Sequence, residues 1–207
     1  MPNAKLVSIT PNYMELLMLA CSKPYGNSVT AKGIKHILES GHLSVLEHCY
    51  ASFEVTCSVR VLGQLTRHRH LSFTVKSARG STFDKVIIPE GMYKFAEQRG
   101  MSRERLDKMC ITPHPMLEAY HDAIDDGLAE EDAAYWLPQG VETSMVITGN
   151  FRAWFEYLPK RMCRRAMPEH RELAEAIQKE LAKAVPEIFD RNFMNCARCT
   201  ERSCEFK

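Results

Sequence analysis

Hydrophobic and polar residues alternate in part of the chain, and this spacing predicts β-structure. In residues 48–59 the side chains of Phe53 and Val55 share one side with other apolar residues, and polar residues fill the other side. Strict alternation of this kind predicts a half-buried strand. A second β-prone run covers residues 143–148, and residues 71–83, rich in Ser, Thr and Gly, are predicted as a loop or an edge strand.

Other segments carry apolar residues at the helical spacing of i, i+3, i+4 and i+7. In residues 28–40, Ser28 is a candidate N-cap and Gly41 is a stop signal. We expect Pro159 to interrupt a later helix. The apolar stripe of that helix is more typical of a core than of a cofactor site, and it consists of Phe151, Trp154, Phe155 and Leu158. The other predicted helices cover residues 59–66, 92–110, 115–134 and 173–185, and Pro186 ends the last of them.

The 207 residues contain no repeat, low-complexity tract or flexible linker. We therefore predict one domain over residues 1–190 and a cysteine-containing tail over residues 191–207. Helices mixed with a few strands in irregular order predict an α+β fold. Because no signal peptide or transmembrane span is visible, we expect a cytoplasmic protein whose cysteines are thiols or metal ligands. Cys49 and Cys57 fall on the apolar side of the predicted strand and are expected in the core.

The charges of the chain nearly cancel but are segregated along it. Lys and Arg total 27 against 26 Asp and Glu, a net charge of +1 that argues against a protein coating nucleic acid or a membrane. Residues 55–83 nevertheless contain five Lys or Arg and no acid, and residues 152–165 contain a second basic group. Residues 118–132, with seven acids, balance them. Arginines mixed with apolar, Ser and Thr residues suggest a bound anion.

The sharpest local feature is Arg67-His68-Arg69, followed after seven residues by Ser77 and then by Arg79. Arginine offers a fixed fork of donors to phosphate, and a serine hydroxyl with nearby backbone amides can complete an anion cradle. Gln64 lies one turn before Arg67 and offers an amide suited to the edge of a base. On spacing alone, an exposed basic helix end is an equally good interpretation.

This arrangement resembles the signature of the flavin-dependent thymidylate synthases, an Arg-His-Arg followed after seven residues by Ser. Further pieces resemble the family in the same order along residues 28–190. They are Gly41-His42-Leu43-Ser44 with Glu47-His48, then Leu137-Pro138, then Asn150 with Arg152, and finally Phe155, Arg161, Ala166, Glu169 and Arg171. The last three match the family's Ala-Gln-x-Glu-Ile-Arg stretch.

The resemblance implies a small, mainly antiparallel sheet flanked by helices, in a homotetramer that holds FAD at subunit interfaces. It also implies a methyltransferase that makes thymidylate from dUMP, with methylenetetrahydrofolate as one-carbon donor and NADPH as reductant. Its partners would then be small molecules, with neither nucleic acid nor membrane.

The resemblance also assigns roles by position. Arg161 and Ser77 would be catalytic, with Arg161 contacting the uracil and favouring its N3-ionised form. The dUMP-binding residues would be Gln64, Arg67, Ser77, Ala78, Arg79 and Arg161. The flavin-binding residues would be His42, Ser44, Arg67, His68, Arg69, Asn150, Arg152 and Glu156.

Four positions depart from the family's pattern. Val75 replaces a glutamate, Ala134 a phosphate-binding arginine, Met167 a glutamine, and Glu156 an asparagine or histidine. Losing an arginine and a polar contact would weaken dUMP binding by a few kcal/mol unless a nearby cation compensates. The candidates are Lys76, Lys160, Arg164 and Arg165. Two alternatives therefore stay open within the enzymes, another pyrimidine nucleotide as substrate or a hydroxymethyl product. A nucleic-acid-binding module is the alternative from a different class.

The tail carries Cys196-x2-Cys199-x4-Cys204, and Cys163 lies directly after Arg161-Met162. Four thiols at such spacing match a structural zinc tetrahedron that would fix the tail near Arg161. Reduced thiols on a frayed terminus are the competing interpretation. His36, His114, His121 and His170 have no partner pattern and are expected to be surface or satisfied histidines.

Overall fold

A four-stranded sheet in the order β1-β2-β4-β3 forms the centre of the computed structural model, which describes residues 2–24, 26–110, 115–194, 196 and 199–206. The strands are β1 (Asn3–Ile9), β2 (Tyr50–Ser58), β3 (Leu71–Val75) and β4 (Glu142–Asn150), and all three pairings are antiparallel. The predicted α+β fold with a small antiparallel sheet is confirmed. The β-character of residues 71–83 is confined to β3, which is an edge strand.

Helices cover one face of this sheet and extend beyond it. They are α1 (Tyr13–Ser22), α2 (Ala31–Glu39), α3 (Val59–Leu65), α4 (Glu90–Gln98), α5 (Arg103–Cys110), α6 (Pro115–Asp125), α7 (Glu130–Ala133), α8 (Phe151–Arg161), α9 (Pro168–Ala184) and α10 (Pro186–Phe189). Two 3₁₀ helices cover Leu43–His48 and Ala134–Trp136. In the described part of the chain, no helix is both long and apolar enough to cross a membrane.

The main core lies between the covered face of the sheet and helices α8 and α9. Phe53 of β2 and Ile147 of β4 are fully buried there, as are Trp154 of α8 and Ile177 of α9. Trp154 also donates its indole N–H to the backbone oxygen of Ala51 at 3.1 Å, which ties α8 to β2. The expected core positions of Cys49, Cys57 and most of the α8 stripe are therefore confirmed.

Close approach of strand β3 and helix α8 explains a glycine in β4. A Cβ on Gly149 would lie 2.3 Å from Leu71 Cδ2 and 3.3 Å from Trp154 Nε1. Both neighbours belong to the core, so only glycine leaves room for them without a shift.

Several predicted helix boundaries are wrong. Residues 92–110 form two helices with Gly100 between them at φ 73°, and the helix predicted over 115–134 stops before Gly127 at φ 94°. Glycine takes such angles at little cost and so ends helices. Helix α8 continues through Pro159 to Arg161, because a proline this close to the end removes few helical bonds. Thr30, and not Ser28, caps α2 by accepting from Gly33 N at 3.4 Å.

Candidate active site

Arg161, the last residue of α8, reaches across to the end of α3 and the loop that follows it. Its Nε donates to His68 Nε2 at 2.7 Å, its Nη1 to Gln64 Oε1 at 3.4 Å, and its Nη2 to the Gln64 backbone oxygen at 3.4 Å. The structure thus brings together three of the predicted site residues. These bonds use three of the five guanidinium N–H donors and leave two for a ligand.

His68 is held as a neutral imidazole. Burial, with the charges of Arg161 and Lys160, lowers the pKa of His68 from 6.5 to about 4. Because Nε2 accepts the Arg161 hydrogen bond, the ring proton lies on Nδ1. Arg161 is therefore bound on this side by an uncharged acceptor.

Other arginines of the chain have a different electrostatic environment. Carboxylates pair with Arg79 (Glu131), Arg103 (Glu90 and Glu97), Arg152 (Glu47 and Glu156) and Arg165 (Glu201). Among the residues that the structure describes, no carboxylate forms an ion pair with Arg161. Its positive charge is therefore available to a bound anion, as are those of Arg67 and Arg69, which also form no ion pair in the described part of the chain.

Two adjoining pockets lie along the exposed side of α8. One has a volume of about 240 Å³ and is lined by Glu47, His70, Asn150, Arg152, Ala153 and Glu156. The other has a volume of about 250 Å³ and is lined by residues 67–71, Ala153, Glu156, Tyr157 and Lys160. Together they contain six of the residues predicted for the flavin. His42 and Ser44 line two different pockets elsewhere, so one chain does not gather the whole predicted set.

The chemistry of these two pockets fits FAD, but each pocket alone is smaller than such a ligand requires. Guanidinium, imidazole and amide groups can bind a diphosphate and the polar edge of a flavin. Pockets that enclose drug-sized ligands measure roughly 300–1,000 Å³, and each of these two is smaller. Asn150 also has a structural task, since its Oδ1 caps α8 by accepting from Ala153 N at 2.7 Å. A ligand as large as FAD would have to occupy both adjoining pockets.

Ser77, Ala78 and Arg79 follow the far end of β3. The strand separates them from the Arg67–Arg69 segment by about 13 Å at the usual rise per residue. Ser77 Oγ accepts from the Arg79 backbone N–H at 3.2 Å, and the Arg79 side chain pairs with Glu131. Neither α8 pocket includes them, so the predicted nucleotide residues form two separate groups on one chain.

The family model described as thymidylate synthase complementing protein matches residues 5–187 of the chain. The chain belongs to the flavin-dependent thymidylate synthase family. It is 33% identical over 195 residues to the flavin-dependent thymidylate synthase of Mycobacterium tuberculosis (strain H37Rv), covering 86% of this chain and 78% of the relative. The enzyme of the same name from Mycobacteroides abscessus matches equally well. That of Mycobacterium sp. (strain JLS) is 34% identical over 184 residues, with 81% and 72% covered.

The positions that depart from the flavin-dependent thymidylate synthase pattern have local partners of their own. Met167 Sδ accepts from Gln64 Nε2 at 3.7 Å, in the same cluster as Arg161. Glu156 accepts a hydrogen bond from Arg152 Nε at 2.9 Å. Arg152 thus forms ion pairs with two carboxylates, those of Glu156 and Glu47. Val75 pairs with Met145 of β4 and packs against the main core. Among the proposed compensating cations, Lys160 lines the pocket of residues 67–71, whereas Lys76 lies 4.5 Å from the centre of the Phe83 ring.

His170 was predicted as a surface or satisfied histidine, and it is neither at the surface nor fully satisfied. It is completely buried, its Nε2 lies 3.2 Å from the Tyr157 hydroxyl, and its Nδ1 has no partner in the described part of the chain. Burial, with the charges of Arg161 and His68, lowers the pKa of His170 to about 3. Burial also raises the pKa of Tyr157. One signal was overlooked: residue 170 continues the apolar stripe of Leu173 and Ile177 on α9.

His36 is exposed and His121 lies 3.3 Å from Asp84, while His114 lies outside the described residues.

A buried carboxylate links the two helices behind Arg161. Glu169, in the first turn of α9, accepts from the Ser58 backbone N–H at 2.8 Å and from Ser58 Oγ at 2.6 Å. Ser58 in turn caps α3 by accepting from Val61 N at 3.2 Å. The positive end of α3 also favours the carboxylate. Glu169 thereby fixes α9 to the helix that carries Gln64.

The predicted zinc tetrahedron is not assembled. Among the described residues, no group of three His, Cys, Asp or Glu side chains could hold a metal ion. Cys199 is exposed, and its backbone N–H donates to Cys196 O at 3.2 Å. Arg165 contacts the tail through Glu201 at 3.7 Å. The Cys163, Cys196, Cys199 and Cys204 thiols are free instead of gathered around one point.

Proposed function

We propose that the protein methylates dUMP to dTMP, with methylenetetrahydrofolate as one-carbon donor, NADPH as reductant and FAD as cofactor, in the cytoplasm. The observation that carries this proposal is the Arg161 guanidinium, held by neutral acceptors with two donors left over. An uncompensated guanidinium of this kind is suited to a small anionic ligand. Family membership supports the reaction class.

In this reaction Arg161 binds the O2 and N3 edge of the uracil. A guanidinium there stabilises the N3-ionised base and the enolate-like charge that makes C5 nucleophilic. Because Gln64 and His68 already fix Arg161, little reorganisation is needed when charge develops. Arg67 and Lys160 provide further positive charge around the pocket lined by His68, the hydrogen-bond partner of Arg161. FAD supplies the redox chemistry when bound, and Arg67, Arg69, Asn150 and Arg152 would hold it.

We further propose that two chains complete each nucleotide site within a homotetramer. The separation of Ser77 and Arg79 from the Arg67–Arg69 segment along β3 supports this arrangement. Mixing the inactive variants Arg161→Ala and Arg79→Ala should then restore part of the activity, since one intact hybrid site can form. If the mixture stays inactive although each variant folds and exchanges subunits, a single chain must provide both residues.

The reaction is tested by supplying dUMP, methylenetetrahydrofolate, FAD and NADPH to the full chain and separating nucleotides by chromatography. We expect dTMP from the wild type and at least a hundredfold less from Arg161→Lys, because lysine lacks the planar fork. Arg105→Ala, on an exposed position of α5, is the matched control and should keep full activity. Absence of dTMP overturns the proposal.

A second candidate is a relative that acts on another pyrimidine nucleotide or forms a hydroxymethyl product. The absence of an arginine at Ala134 and of a carboxylate at Val75 favours it. The same chromatography identifies it by a nucleotide other than dTMP, or by turnover of another pyrimidine. Colourless protein with a DNA affinity that falls steeply with salt would instead favour a nucleic-acid-binding module.

A further inference from the structure

The contact between His68 and Arg161 is the shortest of the three that hold the guanidinium, 2.7 Å against 3.4 Å for the two Gln64 contacts. Hydrogen-bond strength falls with length, so His68 contributes most to the orientation of the group. The contact also requires a lone pair on Nε2, and so an uncharged ring.

His68 packs against two buried side chains, Tyr157 of α8 and His170 of α9. Its ring meets the Tyr157 ring edge to face at 4.9 Å and 78°, and Tyr157 is tied to His170 at 3.2 Å. The His170 ring lies 6.4 Å from the His68 ring. Where the family's Ala-Gln-x-Glu-Ile-Arg stretch has isoleucine, this chain thus places a polar partner for Tyr157.

The two charged groups that act on the pKa of His68 are cationic, although the Glu156 carboxylate lines the same pocket. Lys160 and Arg161 of α8 act on it, and the neighbouring Tyr157 and His170 are uncharged near neutral pH. A proton on His68 would face two positive charges and would remove the acceptor that Arg161 uses. The surroundings therefore keep His68 in the state that binds Arg161.

We propose that His68 is a positioning residue for Arg161, one that fixes the plane of the guanidinium while leaving its full positive charge for the nucleotide. This inference rests on the proposed function. A carboxylate at the same place would orient Arg161 equally well but would cancel its charge. An apolar residue would do neither.

Three variants separate orientation from charge. His68→Gln places a neutral amide oxygen near the position of Nε2, His68→Glu places a charged acceptor there, and His68→Leu removes the acceptor. Equal far-ultraviolet circular dichroism and melting temperature establish that each variant is folded. Arg105→Ala again serves as the control.

The first measurement needs no nucleotide. The ¹⁵N resonance of Arg161 Nε–H, assigned with Arg161→Lys, should exchange slowly with water in the wild type, His68→Gln and His68→Glu. It should exchange fast in His68→Leu, because the acceptor is gone. Imidazole ¹⁵N shifts should also show the proton of His68 on Nδ1. An Arg161 signal that His68→Leu leaves unchanged overturns the inference.

The second measurement is dUMP affinity by calorimetry at neutral pH, with the FAD-loaded full chain. Loss of a hydrogen bond to a charged group weakens affinity on the order of tenfold to a hundredfold, which we expect for His68→Leu. His68→Glu should lose a similar factor despite its protected Arg161 signal, and His68→Gln should stay within about threefold of the wild type. A merely structural role predicts equal affinity for the Gln and Glu variants, and that result would refute positioning by a neutral acceptor.

The two measurements distinguish the inference from the function on which it rests. If the wild type binds no dUMP, the proposed function fails, and the nucleotide role of His68 fails with it, whatever the resonances show. If the wild type binds dUMP and His68→Leu binds it equally well, only the role of His68 is overturned.

Discussion

Replacing His170 with leucine should remove a pH dependence of folding stability. The native pKa of His170 is about 3, against 6.5 for an ordinary histidine, because the ring is buried and Arg161 and His68 are close to it. As the pH falls below 6.5, His170 becomes protonated in the unfolded chain but stays neutral in the native state. The free energy of unfolding therefore decreases on acidification. Between the unfolded-state pKa of 6.5 and pH 5 lie one and a half pH units. Over this interval His170 alone lowers the free energy of unfolding by about 2 kcal/mol. The amount is nearly the same for any native pKa below 4.

The assay is urea unfolding, followed by tryptophan fluorescence at pH 7 and pH 5. Leucine at 170 leaves the Tyr157 hydroxyl without its partner, so the double variant Tyr157→Phe/His170→Leu is measured as well. Both should retain at pH 5 about 2 kcal/mol of the free energy of unfolding that the wild type loses. His68 titrates in all three proteins, so its contribution cancels in the comparison.

The matched control is His36→Leu, at an exposed position of α2. It should lose stability on acidification as the wild type does, because His36 is exposed and lies outside the cluster of His170 and Tyr157. The result that would contradict this reasoning is a difference in free energy of unfolding between wild type and His170→Leu that changes by less than about 0.5 kcal/mol from pH 7 to pH 5. His170 would then be protonated in the native state, and it could not be a buried neutral ring.

Three further substitutions test the supporting structure by thermal and urea unfolding. Glu169→Gln should cost about 1–3 kcal/mol, since one Ser58 donor loses its acceptor; unchanged stability would show that these bonds contribute nothing. Gly149→Ala should cost about 1–3 kcal/mol, because its Cβ would meet Leu71 at 2.3 Å, and a neutral effect would mean that the core yields freely. Asn150→Ala should cost about 1 kcal/mol through the lost cap of α8, while Asn150→Ser should keep most of it; equal losses would argue against capping.

The sequence predicted best those elements whose pattern comes from burial on one side. The alternation of apolar and polar residues predicted β2, and the stripe of apolar residues predicted α9. Both patterns arise because one face of each element packs against the core. Among the residues of strand β1 only Ala4 is buried, so no alternation marks the strand. Helix α1 is apolar on nearly all sides and gives no helical period. The breaks at Gly100 and Gly127 depend on backbone angles that a pattern of side chains does not reveal.

The structure brings together three residues of the predicted site, and their arrangement could not be predicted from the sequence. The motif identified Gln64, His68 and Arg161, yet Gln64 and Arg161 are 97 residues apart, so their contact depends on how α8 crosses α3. That Arg161 is held by neutral acceptors, while Arg152 is held by two carboxylates, follows from packing and not from spacing. The apolar stripe of α9 signalled that His170 is buried, but no pattern signalled its hydrogen bond to Tyr157, which lies on another helix.

A net charge of +1 excludes an extended polyanion, but it is the partner of each arginine that decides where a small anion can bind. In the pocket of Arg152, Glu47 and Glu156 more than offset the guanidinium, and Glu156 is the residue that departs from the family pattern. In the adjoining pocket, Arg67, Lys160 and the nearby Arg161 outnumber the single carboxylate of Glu156. Charge therefore favours a bound anion in the second pocket more than in the first. The first pocket suits a ligand group that binds through hydrogen bonds and not through net attraction.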